Sequence, residues 1–164
     1  MDRLSTIIIA LSICPLYSRA QTFSLEKMSD SLAVLTLTTT NGVNRWRLPY
    51  PTYRFATGDV NGDGMTDAMV GVVKRTRFYK DAGRRLFIFK NVNGLIRPLW
   101  MGSKLGGNLQ DFKFAEGRIR SLETTNHGIY VVAEYEWDDF GMSFVRYIVK
   151  GVGKEEAEKA FYDN

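Results

Sequence analysis

The stretch that decides the fold is ATGDVNGDGMTDAMVGVV, from Ala56 to Val73. Between Asp59 and Asp67 it carries three aspartates, one asparagine and two glycines, with no cation among them. The residues that follow, AMVGVV, form an unbroken apolar run with the length of a buried strand. Carboxylates held this close repel one another unless a positive charge lies among them. The stretch therefore predicts a cation-binding loop that leads into an interior β-strand.

The spacing of the oxygen-bearing residues in this loop suits calcium. Calcium takes about six to eight oxygen ligands, and a loop can supply them when alternate residues point inward. The predicted cofactor is Ca²⁺, and its predicted ligands are the side chains of Asp59, Asn61, Asp63 and Asp67 and the backbone carbonyl of Met65.

Other kinds of loop explain these residues less well. A plain hairpin turn would account for Asn61-Gly62 and Asp63-Gly64, which are favoured turn dipeptides, but it does not need aspartates at loop positions 1, 5 and 9 together. An EF-hand needs a bidentate glutamate where Val70 stands, and it needs flanking helices. The dockerin pattern also continues into a helix, whereas this loop leads into a strand.

The rest of the chain after residue 20 is typical of an all-β protein built from antiparallel meanders. Short apolar or alternating segments are separated by turns rich in Asn, Asp and Gly. The predicted strands are Leu32 to Thr38, Arg45 to Leu48, Arg54 to Thr57, Asp67 to Lys74, Arg85 to Lys90, Ile96 to Met101, Asp111 to Phe114, Ile119 to Glu123, Ile129 to Trp137 and Met142 to Lys150.

The C-terminal segment differs in composition from the strands. Lys154 to Phe161 consists of helix-forming residues without a β-branched side chain, and Glu155 stands four residues before Lys159. We expect a short terminal helix that caps a sheet edge.

The loop and the strand after it resemble the calcium loop of FG-GAP repeats and of the similar VCBS-type repeats of secreted bacterial proteins. The resemblance covers residues 53–91 and includes Phe55 and Gly58 before the loop, the predicted ligands, and the apolar strand. It implies blade-like sheets in which the ion stabilises a β-propeller blade without taking part in catalysis. A closed propeller needs about four blades of four strands. We therefore expect a partial β-propeller, completed by self-association, or a compact sandwich.

The first twenty residues have the layout of a secretory signal peptide. Arg3 precedes an apolar stretch from Leu4 to Leu16, and small residues stand just before Gln21. We expect residues 1–20 to be a signal peptide and residues 21–164 to form a single all-β domain, exported to the periplasm or to the cell surface of a bacterium. Lipidation at Cys14 is a weaker alternative, because Ile13 stands where the lipoprotein motif wants a small residue.

The chain is mildly basic, with a formal net charge of +4, which does not indicate sequence-specific nucleic-acid binding. Its one concentrated basic segment, residues 74–85, suits either a polyanion or anionic lipid surface, or a solvated hairpin whose charges protect a strand edge. The cations of this basic segment are Lys74, Arg75, Arg77, Lys80, Arg84 and Arg85.

The residues that could perform catalysis are few. Glu134 and Glu136 lie two apart on one predicted strand, about 7 Å from each other, which is a spacing that glycosidase carboxylates can have, but we expect an exposed sheet face. His127 is the only histidine, and we expect it in an exposed turn. The late aromatic residues are expected to lie in the core: Tyr130, Tyr135, Trp137, Phe140, Phe144 and Tyr147.

The sequence therefore favours a non-catalytic, calcium-stabilised module that binds or scaffolds a protein or an extracellular polymer. The alternative is a small extracellular hydrolase that acts on a glycan through carboxylates.

Overall fold

A computed structural model describes residues 21–77, 80–102, 105–125 and 127–163. The predicted signal peptide and Cys14 lie outside this part of the chain, as do Phe78 and Tyr79 of the basic segment. The described residues form eleven strands and one helix. The elements are β1 (Gln21–Ser29), β2 (Leu32–Thr39), β3 (Gly42–Leu48), β4 (Thr52–Gly58), β5 (Asp67–Lys74), β6 (Gly83–Val92), β7 (Leu95–Trp100), β8 (Asn108–Ala115), β9 (Arg118–Thr124), β10 (Tyr130–Asp138), β11 (Gly141–Val152) and α1 (Lys154–Tyr162).

The strands form three open antiparallel sheets, each built from strands that are consecutive in the chain. Sheet 1 contains β1 to β3, sheet 2 contains β4 to β7, and sheet 3 contains β8 to β11. Within the described residues the strands do not close into a barrel. The prediction of an all-β fold with meander sheets and a short C-terminal helix is confirmed.

Strand β5 is buried on both faces, as its apolar sequence predicts. Val70 and Val72 point into a cluster shared with sheet 1, which contains Leu35 and Leu37. Met69 points the other way, into a cluster shared with sheet 3. Since side chains alternate along a strand, a strand in the middle layer must be apolar at every position. Sheet 2 is therefore the central layer of a stack.

Helix α1 covers the outer face of sheet 3. Its buried residues Ala157 and Phe161 pack with Leu122 of β9 and Val132 of β10, which are the two inner strands of that sheet. The expectation that the helix caps a sheet edge is therefore wrong. Leu122 and Val132 make the outer face of sheet 3 apolar, so this face must be shielded from water. Ala157 and Phe161 lie one turn apart on α1 and cover it.

Strand β1 was not among the predicted strands. Phe23 is buried and Leu25 packs against the same cluster, but Ser24 between them and Glu26 and Lys27 after them are polar. This is the alternation of an edge strand with one exposed face, and Glu26, Lys27 and Met28 obscure it because these residue types favour helices.

No helix among the described residues has the length and apolar character needed to cross a membrane.

Candidate metal centre

The aspartate loop connects β4 to β5 at one end of sheet 2. Gly58 and Asp67 are paired across the two strands, so they form the neck of the loop. Val60 is buried in the cluster between sheets 2 and 3 and anchors one side of the loop in the core. Gly62 and Gly64 have φ angles of 72° and 81°, in the left-handed region that favours glycine. The loop is therefore tightly turned and fixed to the core.

The carboxylates of the loop point inward, toward its own backbone. Asp59 accepts hydrogen bonds from the backbone N–H of Asp63 at 3.1 Å and of Gly64 at 2.8 Å. Asp63 accepts one from the N–H of Met65 at 2.9 Å and one from the side-chain amide of Asn61 at 2.9 Å. Four of the five predicted ligand residues are thus gathered in one small turn.

Asp67, the fifth predicted ligand residue, lies at the neck of the loop. It is fully buried, and its Oδ2 accepts a hydrogen bond from the N–H of Val60 at 3.0 Å. Its other oxygen, Oδ1, is buried and has no hydrogen-bond partner. Burial, and then the charges of Asp63 and Asp59, raise the pKa of Asp67 to about 6, against the opposing backbone hydrogen bonds from Val60 and Asn61. A buried carboxylate oxygen without a partner is costly, and a cation placed there would remove that cost.

The carboxylate groups alone do not form a complete metal cage. Among the described residues, no three His, Cys, Asp or Glu side chains come together in a group that could hold a metal ion as they stand. The predicted set relies in addition on an amide oxygen and a backbone carbonyl, which are normal calcium ligands. The donor set is therefore of the kind that calcium uses.

Sequence reasoning missed one residue that contacts the loop. The side-chain amide of Gln21 donates a hydrogen bond to the carbonyl of Thr66 at 2.7 Å, and its oxygen accepts one from Asn91 at 2.7 Å. These bonds connect β1 and β6 to the loop. No sequence signal pointed to Gln21, because β1 itself was not predicted.

The cations of the basic segment do not form one continuous surface. The ammonium of Lys74 lies 3.1 Å from the hydroxyl of Tyr50 and 4.4 Å from the centre of its ring, on the side of sheet 1. The guanidinium of Arg84 lies 4.7 Å from the ring of Tyr53, on the side of sheet 3, and donates to the carbonyl of Gln110. Side-chain contacts therefore divide the basic segment between two faces of sheet 2.

The remaining members of the basic segment differ in exposure. Arg75, Arg77 and Lys80 are exposed, whereas Arg85 is partly buried and donates to the carbonyl of Arg84 at 3.1 Å. The exposed cations lie around the hairpin between β5 and β6.

The structure corrects the expectation that Glu134 and Glu136 share an exposed face. Glu136 is exposed, but Glu134 is buried. Its carboxylate accepts hydrogen bonds from Arg120 at 2.9 Å and from Arg146 at 2.8 Å, and Arg118 lies 3.7 Å away. The arginines are on neighbouring strands, so the sequence spacing of the two glutamates did not reveal them.

The other predictions for single residues have mixed outcomes. His127 is exposed in a turn, as expected. Tyr135 is in the core, and Tyr130 and Trp137 pack against the core while partly buried. The prediction of core positions is wrong for Phe140, which is almost fully exposed, and for Phe144 and Tyr147, which are half-exposed. Phe144 and Tyr147 lie on the edge strand β11, where no further strand of sheet 3 covers them.

Comparison with known proteins does not extend these observations. No protein-family model matches the sequence, and neither a curated protein nor a solved structure matches it. The likeness to FG-GAP and VCBS-type repeats therefore rests on the loop residues and the strand that follows them.

Proposed function

We propose that this chain is a non-catalytic, calcium-stabilised β module that is exported to the periplasm or the cell surface. In this proposal it binds a protein partner or an extracellular polymer, and self-association of its open sheets is one form that such binding takes. The stack of sheets provides the rigid framework, and the ion fixes the loop at one end of the central sheet.

One observation carries the proposal: the unpartnered Oδ1 of the fully buried Asp67. A stable fold tolerates few buried polar atoms without a partner, and such an atom calls for an explanation such as a bound ion. Asp59 and Asp63 add negative charge beside it and raise its pKa further. A divalent cation would satisfy the oxygen and offset the repulsion among all three carboxylates.

The residues that would hold the ion are those predicted from the sequence. They are the side chains of Asp59, Asn61, Asp63 and Asp67 and the carbonyl of Met65. The bound ion would supply positive charge to the loop and no reaction step. For an extracellular module we expect a Kd on the order of 10⁻⁴ to 10⁻³ M.

The state of Glu134 supports a non-catalytic role. Burial by itself would raise the pKa of this carboxyl, but the hydrogen bonds from Arg146 and Arg120 outweigh it and hold the pKa below the usual range. A glycosidase acid needs a raised pKa, so that it carries a proton near neutral pH. Glu134 has the opposite property.

The test is thermal unfolding with calcium and with a chelator. If the Kd is about 1 mM, then 10 mM calcium stabilises the native state by about 1.4 kcal/mol. For a domain of this size we expect the Tm to rise by about 3–6 °C. Asp63→Ala should abolish the rise. Asp30→Ala is the matched control, because Asp30 is an exposed aspartate in the turn between β1 and β2, and this variant should respond as the wild type does.

Two results would contradict the proposal. One is a wild-type melting curve that is the same with calcium and with chelator. The other is a calcium response that Asp63→Ala retains in full, which would place the ion elsewhere. Magnesium at the same concentration should give a smaller rise, because it requires near-ideal octahedral geometry and loses its water reluctantly.

A further inference from the structure

A cleft of about 460 Å³ opens at the edge of sheet 3, beside residues 105–107. The half-exposed rings of Phe144 and Tyr147 form one side of it, with their centroids 4.6 Å apart. The buried Tyr135 lies at its inner end, 6.0 Å from the Phe144 ring. A volume within about 300–1,000 Å³ is typical of small-molecule sites. The cleft shares no lining residue with the aspartate loop.

Polar groups converge at the inner end of the cleft. Glu123 is 2% exposed, and its carboxylate accepts hydrogen bonds from the hydroxyl of Ser121 at 2.6 Å and from the N–H of Gly107. A carboxylate has about four lone-pair positions, and beside the hydrogen bonds from Ser121, Gly107 and the Tyr135 hydroxyl about one remains for a ligand. Burial and the adjacent charge of Glu123 raise the pKa of Tyr135, which keeps its hydroxyl protonated.

Two glycines allow the chain to approach these polar groups closely. The N–H of Gly106 donates to the Tyr135 hydroxyl at 2.9 Å. A Cβ at Gly106 would stand 2.9 Å from that hydroxyl, and one at Gly107 would stand 2.8 Å from Oε2 of Glu123. Any side chain at either position would displace the polar groups. The cleft therefore has a preformed polar end as well as an aromatic side.

We propose that this cleft binds a neutral saccharide, with a pyranose ring against Phe144 and Tyr147 and hydroxyl groups toward Glu123. A pyranose has an apolar C–H face and a polar rim, which match the two parts of the cleft. An entirely apolar ligand would exclude water from the remaining acceptor position of Glu123 without offering it a donor. Among the described lining residues, Glu123 is the only charged one, so an acidic sugar would be repelled.

This inference deepens the proposed function, because it gives the binding module a class of ligand. It rests on the proposed function only in taking the protein to be a binding module, since the cleft and the calcium loop consist of different residues. The two can therefore fail separately: the calcium test reads the melting temperature, whereas the saccharide test reads binding at a temperature where the protein stays folded.

The experiment is isothermal titration of the full protein with four neutral hexasaccharides: cellohexaose, maltohexaose, laminarihexaose and chitohexaose. Hexagalacturonate is the acidic comparison, and an uncharged peptide of similar size is the competing ligand. We expect at least one neutral hexasaccharide to bind with a Kd of about 1 mM or below. The titration is repeated with chelator present, and the same Kd is expected.

Variants on the edge strand locate the site. Tyr147→Ala should weaken binding about fivefold, because it removes an aromatic contact. Tyr147→Phe keeps the ring and should bind within about twofold of the wild type. Phe140→Ala is the matched control, since Phe140 is 98% exposed and does not line the cleft, and it should bind as the wild type does.

Any one of three results would overturn the inference. In the first, no neutral hexasaccharide binds with a Kd below about 1 mM. In the second, hexagalacturonate or the peptide binds at least as tightly as the best neutral sugar. In the third, Tyr147→Ala leaves the Kd of that sugar unchanged. Circular dichroism spectra of all variants establish that each one is folded before its Kd is interpreted.

Discussion

Replacing Glu134 with glutamine should destabilise the protein by about 2 kcal/mol. The Glu134 carboxylate is 3% exposed and Arg120 is 7% exposed, and one guanidinium N–H donates to Oε1 at 2.9 Å. Breaking a buried ion pair costs about 3–5 kcal/mol, because one charge stays buried without its partner. Glutamine keeps a carbonyl oxygen for Arg120 to bond, which reduces this cost. Arg118 and Arg146 are much more exposed, so solvent screens their attraction to Glu134. The value of about 2 kcal/mol therefore includes no contribution from these two arginines.

The pH dependence of this effect has a definite sign. The pKa of Glu134 is lower in the folded protein than the usual value for a glutamate, which is about 4.3. The stability that it contributes is therefore complete above the unfolded pKa and is lost as the pH falls through the folded pKa. The wild type and Glu134→Gln should differ by a constant amount between about pH 6 and 8 and should converge below about pH 4.

Urea unfolding, followed by the fluorescence of the three tryptophans, measures both effects. Glu136→Gln is the matched control, because Glu136 lies on the same face of β10 but is 53% exposed. We expect that variant to remain within about 0.5 kcal/mol of the wild type. Equal losses for the two variants, or a difference that grows as the pH falls, would refute the reasoning. Turnover of a glycan that disappears in Glu134→Gln without loss of stability would instead favour the hydrolase.

Two further substitutions test the packing of the layers. Phe161→Ala should cost about 3 kcal/mol in urea unfolding, because the ring is buried between α1 and sheet 3; a loss below about 1 kcal/mol would mean that the helix is not docked as described. Tyr53→Phe should keep or raise the free energy of unfolding, by up to about 1 kcal/mol, because the Tyr53 hydroxyl is buried without a hydrogen-bond partner. A clear loss of stability in Tyr53→Phe would show that this hydroxyl is satisfied.

The sequence predicted an element well wherever the composition of that segment alone distinguished it from its neighbours. The predicted strand from Asp67 to Lys74 agrees with β5 at both ends. The terminal helix was predicted from Lys154 to Phe161 and ends one residue later. In both cases composition and flanking turns are sufficient, because the neighbouring segments have a different pattern. The position of Asp67 at the base of the loop also follows from the sequence, since an aspartate directly precedes the apolar run.

What the sequence could not provide depends on strand register, on which strands lie at sheet edges, and on how the sheets pack. The three arginines around Glu134 come from β9 and β11, the two strands that pair with β10, and meet it only through the strand register. The exposure of Phe144 and Tyr147 depends on β11 being an edge strand, which strand propensity does not reveal. The face covered by α1 likewise depends on which strands are central in sheet 3. Strand order is a tertiary property, and a period-2 pattern does not encode it.

The order of the layers follows the order of the chain, and this bears on how the protein folds as it is synthesised. Each sheet pairs consecutive strands, so its contacts are local and form early. The inner face of sheet 1, with Leu35 and Leu37, nevertheless has no partner until β5 and β6 have left the ribosome. The opposite face of sheet 2 stays uncovered until the strands of sheet 3 have been synthesised, and α1 is synthesised last. A nascent chain would grow by adding one layer at a time, and a chain released after Trp100 would expose the side of sheet 2 that carries Met69 and Ile88, an apolar surface of the kind that causes aggregation.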